Sequence, residues 1–284
     1  MKIAKTKIEF DSIINKIKNK SKKTISFVPT MGNLHQGHIR LIENATKYAD
    51  IVVVSIFVNP IQFGKNEDLN EYPRTIDRDI EQLKNHKIDI LFLPDAKDIY
   101  PDGNPSTQII NLKLSNIHCG KSRTSHFNGV CTVVNILFNI IKPTVALFGQ
   151  KDYQQLLIIK KMVKDLHIPI KIICVETVRN ANGLALSSRN QYLNVDHIKV
   201  APILFQKLNS IKESIHSGSS NYSELCKKVV DDLRQYQFEF EYLCLCDLFD
   251  LSIIDDKKGS KNSILMAAAK LGKTRLIDNL IVDI

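Results

Sequence analysis

Two histidines three residues apart are the most chemically suggestive feature of the sequence. They close the segment Pro29-Thr30-Met31-Gly32-Asn33-Leu34-His35-Gln36-Gly37-His38, which leads from an apolar run into a helical pattern. Gly32 and Gly37 allow backbone to approach a phosphate closely, and a helix start offers unpaired N–H groups with positive potential. Spaced three apart on a first turn, His35 and His38 face the same way. Two imidazoles so placed can donate to a triphosphate and stabilise charge growing on departing pyrophosphate. The same residues would also serve as polar caps at a surface turn. For one histidine the plainer reading is the better one; for HxGH after Pro-Thr-Met-Gly, ligand chemistry is.

Further polar clusters follow other apolar runs. In Asn59-Pro60-Ile61-Gln62-Phe63-Gly64, the Gln62 amide can donate and accept, which suits a hydroxy acid. A proline-initiated turn closed by Gly64 explains the segment equally well. In Phe148-Gly149-Gln150-Lys151-Asp152-Tyr153-Gln154-Gln155, Gly149 permits a tight turn and Lys151 is placed to meet a phosphate as a point charge. Asp152 can ligate magnesium, a hard cation that commonly bridges nucleotide phosphates. Asp152 and Gln155 also have capping-box spacing, and the two roles are compatible. In Asn182-Gly183-Leu184-Ala185-Leu186-Ser187-Ser188-Arg189-Asn190, two hydroxyls and a guanidinium could close over a triphosphate, Arg189 binding it bidentately. As a mobile loop, this segment would exclude water from a reactive acyl-adenylate; it also reads as a Ser/Asn-rich interdomain turn. His126 either contacts substrate or begins a helix, and Arg123 either meets a phosphate or is solvated. The chain has neither a GxSxG elbow nor a GxxxxGK[ST] loop, so direct attack between bound substrates is expected rather than a covalent enzyme intermediate.

The elements that must position these groups follow from the apolar pattern. Short, continuously apolar runs at Thr24–Val28, Ile51–Val58, Ile88–Leu93, Thr144–Phe148 and Ile170–Val175 predict strands of a parallel sheet covered on both faces. Helical spacing lies between them: from about Gly37, over Phe127–Ile141, and over Asp152–Leu166 with Leu156, Ile159, Val163 and Leu166 inward. Alternating strands and helices make an α/β, doubly wound parallel sheet, with ligands bound beyond the strands' carboxyl ends. After Val178 the pattern changes to helices over Val195–His216 and Tyr222–Tyr236. Strands follow at Glu239–Cys246, Ser263–Ala269 and Arg275–Val282. The expectation is therefore two domains: residues 1–178, which bind ligand, and a smaller α+β domain of residues 179–284, with the join within Arg179–Asn194.

Composition is that of an ordinary globular protein, with 44% hydrophobic and 24% charged residues in 284. No apolar run reaches membrane-spanning length, and the opening MKIAKTKIEF lacks a secretion signal's apolar core, so a cytoplasmic protein without membrane association is expected. Six scattered cysteines without a CxxC pair fit reduced thiols used in packing. Cys244 and Cys246 could share one strand face, a weak basis for a metal site. The net charge of +9 is spread along the chain, and aromatic residues are only 7%. That favours a solvated surface or a polyanionic small molecule over nucleic acid.

Taken together, PTMGNLHQGH, VVVSIFVNPIQF, YPRT, HFNGV, FGQKDYQQ, NGLALSSRN and LGKTRLIDN closely resemble the pantothenate synthetase family, in order and approximate spacing. HxGH alone resembles the wider nucleotidyltransferase superfamily, so a related enzyme adenylylating a phosphate ester is the alternative. The resemblance implies a Rossmann-like N-terminal domain, a C-terminal lid domain and a homodimer. It implies an AMP-forming ligase that uses ATP and Mg2+ to join pantoate to β-alanine through a pantoyl-adenylate. It further implies that Met31 through His38, Gly149 through Asp152, and Leu186 through Arg189 contact ATP, and that backbone at Val178 contacts adenine. Gln62 would touch pantoate and β-alanine, and Gln155 pantoate. The catalytic set would be His35, His38, Lys151, Ser187, Ser188 and Arg189. His38 matches the family's general acid, although magnesium-bound pyrophosphate needs little protonation and electrostatic stabilisation describes the role better. Gln150 and Asn182 depart from the family's usual Glu and Asp, which bears on loop geometry and metal affinity.

Overall fold

The structure is a computed structural model and describes residues 1–18, 21–65, 67–256 and 262–283. By backbone contacts the chain divides into two compact units. The first comprises residues 1–149 and 158–175, and the second residues 150–157 and 176–284.

In the first unit the chain runs β1 (Lys2–Ala4), α1 (Lys7–Lys18), β2 (Ile25–Thr30), α2 (Gln36–Ala45), β3 (Ile51–Ile56), α3 (Ile76–Lys84) and β4 (Ile90–Phe92). Next come α4 (Ala96–Ile99), α5 (Cys119–Ser122), α6 (His126–Ile141) and β5 (Val145–Gly149). Helix α7 (Tyr153–Asp165) begins in the second unit, and β6 (Lys171–Val175) completes the first. The six strands form one sheet in the order β1-β4-β3-β2-β5-β6, every pairing parallel. All six residues of β3 are buried, Ser55 among five apolar ones, as expected when both faces are covered. Strand order reverses between β2 and β5, which pair at Ser26–Val145 and Phe27–Ala146. Ligands of open α/β sheets bind outside the carboxyl ends at such a switch point. β2 is followed by Met31–His38 and β5 by Gln150–Asp152, so both anticipated phosphate segments leave these two strands.

The second unit contains α8 (Val195–Val200), α9 (Ile203–His216), α10 (Tyr222–Arg234), β7 (Phe238–Asp247), β8 (Asn262–Leu271) and β9 (Thr274–Asp283). The strands form an antiparallel sheet, β7-β8-β9. Leu204, Leu208 and Ile211 of α9 and Cys226, Val229 and Leu233 of α10 pack with Leu265, Ala267 and Ala269 of β8 in one core.

Several sequence expectations need correction. The single helix over Val195–His216 is two, because Pro202 has no N–H to continue the ladder and stands at the N-cap of α9. Leu166 is 51% exposed rather than buried. Helix α7 ends at Asp165, and His167 turns the chain with φ +50°. Strand β1 and helices α1 and α3 were not anticipated; β1 has three residues, too few to show a period. Residues 150–157 group with the second unit rather than the N-terminal domain. Their ties explain it: Asn279 Nδ2 donates to the carbonyls of Gln150 and Lys151, both at 2.9 Å, and Tyr153 Oη donates to Leu248 O at 2.9 Å. Among the described residues, no helix is long and apolar enough to cross a membrane.

Leu208 is fully buried in the second core. Leu208→Ala is expected to destabilise that unit by about 2–5 kcal/mol, read as a lowered urea midpoint for hydrogen exchange of the β8 amides. An unchanged midpoint would contradict this packing.

Candidate active site

The candidate residues are distributed over both units, and each group is described on its own unit. On the first, the loop from β2 to α2 makes two left-handed steps, Gly32 at φ +81° and Asn33 at φ +48°. What holds it is Asp79 of α3, only 1% exposed. Its carboxylate accepts from Asn33 N at 2.9 Å, Leu34 N at 2.8 Å and Thr75 Oγ1 at 3.2 Å. A Cβ at Gly32 would come within 3.1 Å of that carboxylate, so glycine meets both the conformation and the space.

His35 is the N-cap of α2, and its Nδ1 accepts from Gly37 N at 3.1 Å. His38 Nδ1 in turn accepts from His35 N at 3.3 Å. The two rings lie 4.1 Å apart, centroid to centroid, on one face. The plainer reading as caps therefore holds, and it leaves the chemical reading compatible with the same geometry. When Nδ1 accepts a backbone N–H, the neutral ring carries its proton on Nε2. Capping thus fixes the tautomer and makes each Nε2 a donor. The glycine between them is explained too, since a Cβ at Gly37 would meet His35 Nδ1 at 2.9 Å.

Beyond β3, residues Pro60–Gln62 form one 3-10 turn. Gln62 is 7% exposed; its Oε1 accepts from Asn59 Nδ2 at 2.9 Å and its Nε2 lies 3.0 Å from Met31 Sδ. The backbone of this turn rests on Gly129 of α6, where a Cβ would come within 2.5 Å of Ile61 O. His126 begins α6, as one reading expected, and its Nδ1 lies 2.8 Å from Gln62 O. Arg123 is neither solvated nor open to a phosphate. It pairs with both carboxylate oxygens of Glu67, at 3.0 and 2.6 Å, and lies 2.9 Å from His126 Nε2.

On the second unit, Gln150–Asp152 form a 3-10 turn leading into α7. The Lys151 side chain is 18% exposed and its Nζ lies 3.8 Å from the Asp152 carboxylate, itself 48% exposed. Gln155 is half-buried on the first turn of α7. Gln150, where the family usually has Glu, donates to Asn279 Oδ1 at 3.3 Å, which spends the amide inside the unit. Asn182, the other departure, is exposed at a turn tip.

The segment expected to be a mobile loop is a short hairpin. Leu186 N donates to Val178 O and Asn180 N to Leu184 O, both at 2.9 Å, while Asn190 Nδ2 holds Ala185 O at 3.0 Å. Ser187 caps the following 3-10 turn by accepting from Arg189 N at 3.3 Å. Ser187, Ser188 and Arg189 are all half-buried. Arg179 anchors the hairpin. Its guanidinium forms a bidentate pair with Asp278 at 2.6 and 2.7 Å, donates to Gly183 O at 3.1 Å and stacks over Phe205.

Comparisons with known proteins place the chain in a family. The sequence model of the family described as pantoate-beta-alanine ligase matches residues 2–281. The chain belongs to that family. It is 47% identical to a pantothenate synthetase of Stutzerimonas stutzeri, over 92% of this chain and 91% of that one. It is 44% identical to one from Methylococcus capsulatus, over 100% and 99%. A pantothenate synthetase structure from Thermus thermophilus superposes with TM-score 0.91 at 38% identity, covering 99% of each chain. A family member from Francisella tularensis, solved with β,γ-ATP and β-alanine, does so with TM-score 0.79 at 38% identity, covering 99% of this chain and 97% of that one.

Sequence reasoning assigned no role to Asp79, Glu67, Arg179, Asp278 or Asn279. A readable signal existed for the last two: Asp278-Asn279 is a polar pair inside an apolar strand, and such groups are buried only with partners. Asp79→Asn leaves one of the loop amides facing an N–H instead of an oxygen. It should cost about 1–3 kcal/mol in unfolding stability and raise the ATP KM. Thermal unfolding and steady-state kinetics would show both, and a variant with unaltered ATP kinetics would remove Asp79 from this role.

Proposed function

We infer that this protein condenses pantoate with β-alanine to pantothenate, using ATP and releasing AMP and pyrophosphate. The observation that carries the reading is the close, tautomer-fixed His35–His38 pair at the mouth of α2, in a chain matched by its family almost end to end. Pantoate's carboxylate attacks the α-phosphorus of ATP, and the bond to pyrophosphate breaks. The amine of β-alanine then adds to the acyl carbon of pantoyl-adenylate and AMP leaves.

Roles follow from side-chain chemistry. Nε2–H groups of His35 and His38 donate to phosphate oxygens as charge develops there. Lys151 supplies a point charge, Arg189 a fork matched to phosphate, and the hydroxyls of Ser187 and Ser188 further donors. Backbone from Met31 to His38, from Gly149 to Asp152 and from Leu186 to Arg189 lines the nucleotide, with Val178 at adenine; Gln62 takes pantoate and β-alanine, and Gln155 pantoate. Asp152 fits a magnesium-binding role, since one carboxylate with an exposed end suits an ion held mainly by phosphates. Bound magnesium would neutralise phosphate charge. Cytoplasmic residence fits cysteines that are mostly buried, as packing thiols are.

Replacing His38 with Ala should slow adenylate formation about 10²–10³-fold while pantoate binding changes little, measured by single-turnover assay. ATP–pyrophosphate exchange tests the assignment itself. Exchange must require pantoate; exchange driven only by a phosphorylated co-substrate would replace this activity with phosphate-ester adenylylation.

The family's homodimer is proposed here as well. Ile110 and Leu112, 54% and 79% exposed, alternate with half-buried Ile109 and Asn111, which leaves two large apolar side chains outward. Sedimentation velocity should give a dimer, and Leu112→Lys should shift it towards monomer. A wild-type monomer at micromolar concentration would refute this.

A further inference from the structure

Gln62 ends a hydrogen-bond chain whose direction is fixed at every link. Asn59, 1% exposed, donates through Nδ2 to Gln62 Oε1 at 2.9 Å and to Gly129 O at 3.1 Å. Both acceptors are amide oxygens, so the nitrogen of Asn59 must face them, and its Oδ1 must face the other way. There it accepts from Tyr100 Oη at 2.7 Å. Tyr100 is 5% exposed at the end of α4, and its ring lies 6.1 Å from that of Phe57. Burial disfavours the charged phenolate and pushes the pKa of Tyr100 well above the usual phenol range, so the group stays protonated and a donor at any ordinary pH. With Oε1 occupied, the Gln62 amide has one orientation, which points Nε2 at Met31 Sδ, 3.0 Å away. A thioether is a weak acceptor, and an oxygen of a ligand is a much better one.

We propose that Tyr100 is a positioning residue for pantoate: acting through Asn59, it holds Gln62 with its N–H donors turned towards the substrate. Gln62 is thus a committed donor rather than an adaptable amide, and the group it meets is an acceptor, a hydroxyl or carboxylate oxygen. This rests on the reading of Gln62 as a pantoate contact. Without the phenol, Asn59 Oδ1 is buried with nothing donating to it. The side chain then has reason to rotate, and Gln62 loses its fixed orientation. ATP and β-alanine gain nothing from the phenol unless they too use Gln62.

The test is a double-mutant cycle on the full-length enzyme, with AMP release followed while each substrate is varied. Tyr100→Phe should raise the pantoate KM about tenfold with the ATP KM within about twofold of wild type. In a Gln62→Ala background the same change should leave the pantoate KM unaltered, because there is no amide left to orient. If Tyr100→Phe has no effect alone, or the same effect in both backgrounds, the relay is overturned. If Gln62→Ala alone leaves pantoate kinetics unchanged, the underlying reading of Gln62 fails, which is a separate result. A purely structural role would move ATP and pantoate constants together and also overturn the proposal.

Discussion

One buried carboxylate governs the first unit's ligand-facing segment. A loop with two left-handed residues, stopping just where a helix must begin, has backbone donors that no strand or helix satisfies. Asp79 takes two of them, those of Asn33 and Leu34, from a helix 45 residues further on. Once that clamp is in place the first turn of α2 has a defined start. Only then can His35 and His38 fold back their Nδ1 atoms as caps. The orientation of both rings is thus a by-product of ordinary helix termination, set by the same two hydrogen bonds that cap α2.

The sequence exposed those parts of the architecture where one local rule dominates. Strands β2, β3 and β5 were legible because burial on both faces writes itself as a short, mainly apolar run. Helices α6 and α10 were legible from their spacing. HxGH was legible because its glycine and histidines have few other reasons to occur together after a strand. What stayed hidden depends on partners distant in sequence. Asp79 reads as one acid among several on a polar helix. Arg123 reads equally as a phosphate contact or a solvated side chain until Glu67 is seen across from it. The hairpin at 178–190 reads as a loose linker because its anchor, Asp278, lies about a hundred residues away. Segment 150–157 carries helical spacing that says nothing about which core it joins.

Neutral amides recur among the candidate site segments. Gln62, Asn59, Gln150 and Asn279 form fixed donor–acceptor pairs within their own units. An amide can orient a neighbour without adding a field of its own. A polyanionic substrate and a magnesium ion would otherwise compete with every extra ion in the site.

Strand β9 has a consequence for the order in which the molecule matures. Asn279 holds the carbonyls of Gln150 and Lys151 across 129 and 128 residues, and Asp278 holds Arg179 across 99. Loop closures of that length are slow, and they must wait until the last strand has emerged from the ribosome. A growing chain can therefore complete its parallel sheet and cap α2 while its lysine turn and serine–arginine hairpin remain unlocked. Such an intermediate would have its first unit folded while the turn at 150–152 and the hairpin at 178–190 still lacked their ties to β9.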